Sequence, residues 1–484
     1  MHASIIIKIL GVLLMLFSAL GSLPPILVSY IYDDGMAGVF VNTFLSVFIT
    51  GLILWLLTAR SKEDLGTKDG FLVVTLFWVV LGTAGSLPFL LSSATELSLT
   101  DAVFESMSGL TTTGATVISG LDDLPKSLLF YRQLLQWLGG MGIIVLAMAL
   151  LPMLGIGGMQ LYRAESPGPV KDYKLVPKLA ETAKALWYIY LTLTVVCALA
   201  YWLVGMSLFD AVGHSFTTVA IGGFSTHDQS MGYFNNPAVD VVAIIFMFVA
   251  GINFALHFTA WQKREIKHYG ADPEFRFYAF ILASLAIVTV LVLYFSATYS
   301  GVFEATIKGV FQVVSIATTT GFVTADFSSW PLFLPYLLFY AAIIGACAGS
   351  TGGGMKVIRI LLIFKQGFRE VQRLIHPKAI IPIKLGRNPV PDRVIDSVWG
   401  FFAVYVMAFM VMLLALLATG LDIITAFSAV GACINNLGPG LAGVAETYGH
   451  LPNTAKWILC VAMLLGRLEV FTLLVLFTPM FWRR

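Results

Sequence analysis

The stretch Ser315-Ile-Ala-Thr-Thr-Thr-Gly-Phe-Val-Thr-Ala-Asp326 places three threonines and a glycine in the middle of an apolar chain. A near copy reads Leu110-Thr-Thr-Thr-Gly-Ala-Thr116, and a third reads Thr217-Thr-Val-Ala-Ile-Gly-Gly-Phe-Ser-Thr-His-Asp228. A fourth, degenerate copy reads Ile434-Asn-Asn-Leu-Gly-Pro-Gly440. The copies lie 109, 98 and 117 residues apart when they are aligned on Gly114, Gly223, Gly321 and Gly438. The chain therefore repeats one unit four times.

Each copy extends upstream as a short apolar segment. Twelve residues before each glycine stands a small residue: Ala102, Ala211, Gly309 or Ala426. We expect a helix that ends in a glycine turn, because glycine adopts positive φ without a steric clash. Four such units suggest a ring with approximate fourfold symmetry, and a ring around an axis encloses a hole.

The chemistry of this unit suits a monovalent cation. In potassium filters, rings of peptide carbonyls replace the hydration shell of the ion. The C-terminal end of each preceding helix adds a partial negative charge. The alternative is that the four stretches are helix-ending turns without a ligand, which explains one copy better than four copies at matched offsets.

The composition indicates a membrane protein. Of the 484 residues, 58% are hydrophobic and 12% are charged, more apolar surface than a soluble protein of this length can bury. Apolar runs of about 20 residues recur, which is the length needed to cross a bilayer. We predict an all-α membrane protein with two extra N-terminal helices and four helix–pore loop–helix repeats in a pseudo-fourfold arrangement around one pore. The predicted boundaries are 1–62 for the N-terminal pair and 63–165, 166–270, 271–388 and 389–484 for the repeats.

The distribution of charge predicts the orientation of the chain. With the N-terminus inside, the predicted inner segments carry 24 Lys and Arg residues, and the outer segments carry only Lys126, Arg132, Lys308 and Lys456. The positive-inside rule then places both termini in the cytoplasm and the four loops at the outer face. Eleven acidic residues share that face, so we expect either a mouth that concentrates cations or a solvated polar rim, and the two are compatible.

A glycine-rich segment interrupts the second span of the third repeat, predicted at 331–365. Each glycine in a helix interior costs about 1 kcal/mol relative to alanine, so we expect the helix to break there. One interpretation is a mobile gate beneath the filter. The other is a helix-packing seam of small residues, with Gly345 and Gly349 four apart. The candidate gate residues are Gly345, Gly349, Gly352, Gly353 and Gly354.

Arg467 lies within the last predicted span, where a charge is expensive and usually faces a bundle interior or an aqueous path. It either makes a structural contact with Glu469 or with backbone, or it places a positive charge just below the filter. Elsewhere the chain has no CxxC pair and no catalytic, cofactor-binding or metal-ligand spacing, and its net charge of +2 indicates no nucleic-acid partner. We therefore predict no enzyme and no organic cofactor.

Several motifs together resemble one family of transporters. These are the four repeats, the runs Arg132-Gln-Leu-Leu-Gln-Trp-Leu-Gly-Gly-Met-Gly142 and Ser350-Thr-Gly-Gly-Gly-Met-Lys356, and Gly466-Arg-Leu-Glu469. They resemble the bacterial TrkH-type members of the Trk/Ktr/HKT superfamily of potassium transporters. The resemblance implies K⁺ ligands at the carbonyls three and two residues before each glycine: Thr111, Thr112, Ala220, Ile221, Thr318, Thr319, Asn435 and Asn436. The fourth repeat departs from the family pattern, with Asn-Asn-Leu-Gly in place of Thr-Thr-Thr-Gly.

The resemblance also implies how the protein is used. It matches the glycine-rich segment to an intramembrane gating loop and Arg467 to an arginine in the last pore-lining helix. It implies a homodimer docked on a cytosolic TrkA-type ring of nucleotide-binding subunits, with the basic stretches 356–393 and 163–184 as candidate docking surfaces. The expected function is potassium uptake across the bacterial inner membrane.

The alternative function is an obligately coupled K⁺/H⁺ or K⁺/Na⁺ symporter on the same fold. Coupled carriers often use carboxylates within the membrane. The predicted spans offer little beyond Glu469, which favours channel-like conduction.

Overall fold

The computed structural model describes residues 2–61, 66–142, 179–331, 333–386 and 388–483. Within these ranges the chain is mostly helical, and its only sheet is a small antiparallel hairpin of β1 (Lys384–Leu385) and β2 (Asn388–Pro389). Six described helices are long and apolar enough to cross a membrane. The prediction of a polytopic helical membrane protein is therefore confirmed.

The N-terminal pair consists of α1 (Ala3–Tyr32) and α2 (Ala37–Thr58). The two helices cross at Gly11 and Gly51, where a Cβ on either glycine would lie 2.7 Å from the carbonyl oxygen of the other. Small residues at a crossing allow two backbones to approach this closely. The pair packs against the first repeat, since Tyr131 of that repeat lies 5.5 Å from the ring of Phe40.

The first helix of each repeat lies close to the span that the sequence predicts, at about 70–92, 183–204, 276–298 and 395–418. These helices are α3 (Thr67–Ala84) with its short continuation α4 (Leu87–Leu91), α7 (Leu179–Leu203), α12 (Pro273–Phe295) and α16 (Asp392–Leu417). Their outward faces expose large apolar side chains, such as Leu203 and Phe295, each 79% exposed. An apolar exterior around a polar centre is the arrangement that a lipid environment favours.

A short pore helix follows each of these spans. The four pore helices are α5 (Leu99–Leu110), α8 (Leu208–Val219), α13 (Val302–Ala317) and α17 (Ile423–Ile434). Three of them begin at a side-chain cap, because Ser98, Ser207 and Asp422 each accept the backbone N–H three residues on. The third begins at Gly301 without such a cap.

We predicted continuous second spans at 128–152, 237–261 and 454–481, and those of the second and fourth repeats are broken. In the first repeat α6 (Lys126–Trp137) passes into a π-helical turn at Leu138–Gly142, and the remainder of the predicted span lies outside the described residues. In the second, α9 (Pro237–Ala250) and α10 (Phe254–Lys263) are bent by 91°. In the fourth, α18 (Asn453–Arg467) ends before Glu469 and Val470, which both have positive φ.

The break in the third repeat is confirmed: a non-helical segment separates α14 (Leu334–Ile344) from α15 (Val357–Ile375). The other described elements are short. They are α11 (Lys267–Ala271), α19 (Phe471–Leu474), α20 (Pro479–Trp482) and 3-10 turns at Leu121–Asp123, Ser230–Phe234, Phe327–Ser329, Ala442–Val444 and Val475–Phe477.

Close packing against the pore helices occurs at the π-helical turn of the first repeat and at the end of α18 in the fourth. A Cβ on Gly139 would overlap the carbonyl oxygen of Leu110, the last residue of the first pore helix. A Cβ on Gly466 would overlap the carbonyl oxygen of Ile434, the last residue of the fourth. The second helices therefore run in direct backbone contact with the ends of the pore helices, where any larger side chain would separate them.

Candidate ion-conduction site

The four pore helices end in the same backbone turn. We call the four aligned glycines the filter glycines, after their predicted role, and the turns around them the filter loops. The residue two before each filter glycine is left-handed, with φ of 57° at Thr112, 55° at Ile221, 70° at Thr319 and 53° at Asn436. The next residue donates its N–H to the carbonyl five residues earlier, and the N···O distance is 2.8 Å in every repeat. The four bonds run from Thr113 to Ser108, Gly222 to Thr217, Thr320 to Ser315 and Leu437 to Ala432. This is a Schellman turn. The repeats that the sequence predicted thus share one conformation.

The left-handed residues were not predicted, because we expected the reversal at the glycine itself. β-Branched residues such as Thr112, Ile221 and Thr319 are genuine outliers at positive φ. Such strain costs on the order of 1–3 kcal/mol at each position and persists where the surrounding structure enforces it, commonly at functional sites. The filter glycines are left-handed as well, with φ between 79° at Gly223 and 95° at Gly438.

The filter loops contact one another in a closed cycle. A Cβ on each filter glycine would lie within 3.0 Å of the carbonyl oxygen just before the glycine of the next loop. The pairs are Gly114 with Gly222, Gly223 with Thr320, Gly321 with Leu437, and Gly438 with Thr113. The contacts therefore run from the first loop through the second, third and fourth and back to the first. Only glycine fits at these four junctions.

The eight predicted ligand residues lie in the four turns that end the pore helices, and each is at most 2% exposed. Seven of their carbonyl oxygens accept no hydrogen bond from the described residues. The eighth, that of Asn435, accepts the N–H of Gly354 at 3.1 Å. Buried carbonyls without a partner are rare in proteins, so this group of oxygens is suited to bind a cation.

The side chains of the filter loops bond to protein and so do not compete with the carbonyls. The Thr111 and Thr113 hydroxyls lie 2.7 Å apart, and the matching pair Thr318 and Thr320 lies 2.8 Å apart. In the fourth loop Asn436 donates to Thr113 Oγ1 at 3.0 Å. The departure of the fourth repeat from Thr-Thr-Thr-Gly therefore keeps both the turn and the contact with its neighbour.

The glycine-rich segment 345–354 lies directly against the turns at the C-terminal ends of the pore helices. The N–H of Gly353 donates to Thr319 Oγ1 at 2.7 Å, and the Thr351 hydroxyl donates to the Val219 carbonyl at 2.9 Å. A Cβ on Gly352 would lie 2.8 Å from the Thr318 carbonyl oxygen. The alternative of a helix-packing seam is wrong, because no helix passes through Gly345 and Gly349, which both have a φ of 73°.

Arg467 joins this segment to the first repeat. Its guanidinium donates to the carbonyls of Gly139 and Gly140, each at 2.5 Å, to that of Thr351 at 3.3 Å and to the Thr112 hydroxyl at 3.5 Å. The predicted contact of Arg467 with backbone is therefore confirmed, and its role as a positive charge below the filter stays a prediction. Glu469 pairs with Arg359 at 2.5 Å.

Three of the four predicted outer cations form buried ion pairs. Arg132 pairs with Glu105 at 2.8 Å, Lys308 with Asp240 at 3.0 Å, and Lys456 with Asp101 at 2.5 Å. The fourth, Lys126, lies 4.2 Å from the centre of the Tyr32 ring. Each of the four predicted outer cations therefore contacts a carboxylate or an aromatic ring of the protein.

The expectation that the spans hold little acidic charge beyond Glu469 is wrong. Glu105, Asp240 and Glu274 are buried in the helical part of the chain. The first two are in the ion pairs with Arg132 and Lys308, and Glu274 accepts the N–H of Ala348, within the glycine-rich segment, at 2.7 Å. Sequence reasoning missed the burial of Asp240 and Glu274 because both lie in the first turn of a helix, where a carboxylate usually reaches solvent.

His227 joins the first two repeats outside the spans. Its Nδ1 lies 2.5 Å from Asp122 and its Nε2 lies 3.5 Å from Asp210, and its ring stacks on Tyr233 with centroids 3.4 Å apart. Burial lowers the pKa of His227, but the hydrogen bonds and charges of Asp210 and Asp122 raise it more, so the net pKa lies above its ordinary value.

We predict that His227 makes the thermal stability depend on pH. Its pKa is higher in the folded than in the unfolded protein, so its contribution is complete below about pH 6.5 and is lost as the pH rises through the folded value. His227→Gln should therefore flatten the fall of Tm between about pH 6 and 9 in detergent solution. The exposed His376 is the control, since His376→Gln should leave the profile unchanged. An unaltered profile in His227→Gln would contradict the assignment.

Comparison with known proteins decides the family. Residues 37–484 match the family model TrkH, described as a cation transport protein. The chain belongs to the TrkH family. It is 58% identical over 484 residues to the Trk system potassium uptake protein TrkH of Halomonas elongata, and 55% identical over 483 residues to that of Escherichia coli K12, with both chains covered completely in each case. The resemblance found in the sequence is thus confirmed.

A solved structure supports the fold of this TrkH-family chain. The crystal structure of the potassium transporter TrkH from Vibrio parahaemolyticus aligns with a TM-score of 0.91 at 54% identity, covering all of both chains. The family also establishes that the protein is a multi-pass membrane transporter and not an enzyme.

Proposed function

We propose that this protein takes up potassium across the bacterial inner membrane through a pseudo-fourfold filter of peptide carbonyls. The observation that carries the proposal is the closed cycle of four glycine loops, whose turns contain seven carbonyls that accept no hydrogen bond from the described residues. Potassium as the ion is supported by the relatives named as potassium uptake proteins. K⁺ is the permeant ion, and the proposal requires no organic cofactor.

The filter selects by replacing water with peptide oxygen. The carbonyls of the eight predicted ligand residues coordinate a dehydrated K⁺ ion, and the C-terminal ends of the four pore helices add partial negative charge. The strained, mutually packed loops support this role because they hold the oxygens in place before the ion arrives.

The outer mouth attracts cations. Because Arg132, Lys308 and Lys456 already pair with other carboxylates, a carboxylate such as Asp228 contributes negative charge that these three cations do not neutralise. Asp228 itself accepts the N–H groups of Gly120 and Leu121 at 3.0 Å, which fixes it between the first two repeats. Clustered negative charge raises the local cation concentration. The mouth faces the outside, and both termini face the cytoplasm.

The glycine-rich segment, with Arg467, acts as the gate. In the conformation described here its N–H groups bond to Thr319 and Asn435, so peptide donors stand where a cation would leave the filter. Arg467 adds a positive charge at the same level and bonds to the segment through Thr351. Conduction then requires the segment to move away from the filter.

The cytoplasmic face binds regulatory subunits. The stretch 356–393 carries nine basic residues, and α15 within it exposes Phe364, Phe368 and Leu374, the last 83% exposed. A basic surface with apolar residues suits a protein partner, and the relatives are named as members of a Trk system. We propose a homodimer on a TrkA-type nucleotide-binding ring. The other candidate surface, 163–184, lies mostly outside the described residues.

Tracer uptake into proteoliposomes tests the proposal. Purified protein should accumulate ⁸⁶Rb⁺, and external K⁺ should compete with it far better than equal Na⁺. Uptake should persist without a proton or sodium gradient. A strict requirement for either gradient would instead support the symporter, and equal competition by K⁺ and Na⁺ would overturn the selective filter.

A further inference from the structure

The second filter loop lacks the internal brace of two others. In the first and third loops, threonines three and one residues before the glycine pair their hydroxyls, at 2.7 and 2.8 Å. In the second loop these places hold Ala220 and Gly222, which have no hydroxyl. Gly222 and Gly223 are also consecutive glycines, so the peptide between them has more freedom to rotate than any other in the four loops.

The side chain of Gln136 on α6 makes hydrogen bonds to the second loop, which has no hydroxyl pair of its own. Its Nε2 donates to the Gly222 carbonyl at 2.6 Å, and its Oε1 accepts the N–H of Phe224 at 3.0 Å. A Cβ on Gly222 would overlap this amide. Gly222 is therefore small because the glutamine side chain fills the space beside it, and one side-chain amide holds the backbone on both sides of Gly223.

Arg132, one helical turn earlier on α6, supports the same loop. Its guanidinium donates to the Ser225 carbonyl at 3.1 Å and lies 4.2 Å from the centre of the Phe224 ring. Its buried partner Glu105 also accepts the N–H of Val117, beyond the first filter glycine, at 2.9 Å. One face of α6 thus ties the second loop to the first.

We propose that Gln136 is a positioning residue that sets the ion selectivity of the filter by fixing the Gly222–Gly223 peptide. Without it this peptide can rotate, and Ile221, whose carbonyl is a proposed ligand, loses its fixed neighbour. One loop with mobile oxygens relaxes the discrimination between ions of different size. This inference rests on the proposed potassium filter and assigns a selectivity role to a residue outside the four loops.

The neighbouring glutamine provides a matched control. Gln133 lies on the same helix and, like Gln136, is fully buried, but neither of its side-chain polar atoms has a hydrogen-bond partner among the described residues. Gln133→Leu and Gln136→Leu make the same chemical change at two equally buried positions. Only the second removes hydrogen bonds from the filter.

The test compares these variants by K⁺ and Na⁺ competition against ⁸⁶Rb⁺ uptake in proteoliposomes, normalised to folded protein. We expect Gln136→Leu to lose about tenfold or more of the K⁺ over Na⁺ preference, since two buried hydrogen bonds are removed. Gln133→Leu should keep the wild-type ratio. Gln136→Glu retains the acceptor for Phe224 but not the donor to Gly222, so its K⁺ over Na⁺ preference should lie between those of Gln133→Leu and Gln136→Leu. If the leucine variant of Gln136 does not fold, the glutamate variant is compared with Gln133→Leu instead.

The outcomes separate this inference from the proposed function. A wild-type protein without K⁺ preference would refute the filter itself. A selective wild type with an unchanged ratio in Gln136→Leu, or in Gln136→Glu where the leucine variant is unfolded, would overturn the role of Gln136. Equal losses in the Gln133 and Gln136 variants would show a general packing effect and would also overturn it.

Discussion

Gly321→Ser is expected to remove most of the preference for potassium over sodium. A Cβ at this position would overlap the Leu437 carbonyl oxygen, and φ is +81°, where a serine is strained whatever the space around it. Relief of the overlap must separate the third and fourth loops and move the oxygens of both. We expect the ratio of K⁺ to Na⁺ competition against ⁸⁶Rb⁺ uptake to fall by about tenfold or more, which corresponds to about 1.4 kcal/mol.

A second glycine separates the overlap from the backbone strain. Gly420, in the loop before the fourth pore helix, has a φ of +92° but no atom within 4 Å of a built Cβ. Gly420→Ser therefore carries a similar conformational penalty without the contact, and its selectivity should equal that of the wild type. An unchanged ratio in Gly321→Ser would refute the assignment of the filter.

Arg467→Ala is expected to raise the potassium flux per molecule. The arginine donates to the carbonyls of Gly139, Gly140 and Thr351, and so holds the glycine-rich segment against the first repeat. A hydrogen bond from a charged group contributes about 1.5–3 kcal/mol, so the loss of one such bond shifts a two-state gate by about tenfold or more. Removal of the positive charge also lowers the electrostatic barrier for the ion.

The control for Arg467 is a second arginine in an ion pair away from the filter. Arg369 on α15 is buried and pairs with Asp392 at 2.8 Å. Arg369→Ala should leave the flux per folded molecule unchanged. If Arg467→Ala lowers stability while its flux per folded molecule stays normal, the arginine is structural and the gate needs another explanation.

The sequence predicted the parts of the site that depend on local chemistry. The filter glycines repeat because a neighbouring carbonyl leaves no room for a Cβ at Gly114 or Gly321, and that constraint is visible as residue identity. The break after Ile344 was predictable because several glycines destabilise a helix together.

Other features could not be predicted because they arise from tertiary contact. The span around Leu468 is continuous in hydropathy, and its break becomes evident only where Gly466 meets the backbone of Ile434. The left-handed conformation of Ile221 runs against the preference of a β-branched residue. Gln136 belonged to a recognised motif, but its role depends on which loop α6 faces.

The most direct test is to locate the ion. Crystals of the protein grown in Rb⁺ and measured at the rubidium absorption edge should show anomalous density on the axis of the four loops. We predict that this density lies in contact with the carbonyl oxygens of Thr112, Ile221, Thr319 and Asn436. Density found only elsewhere, with these oxygens turned into packed protein, would contradict a filter built from the four glycine loops.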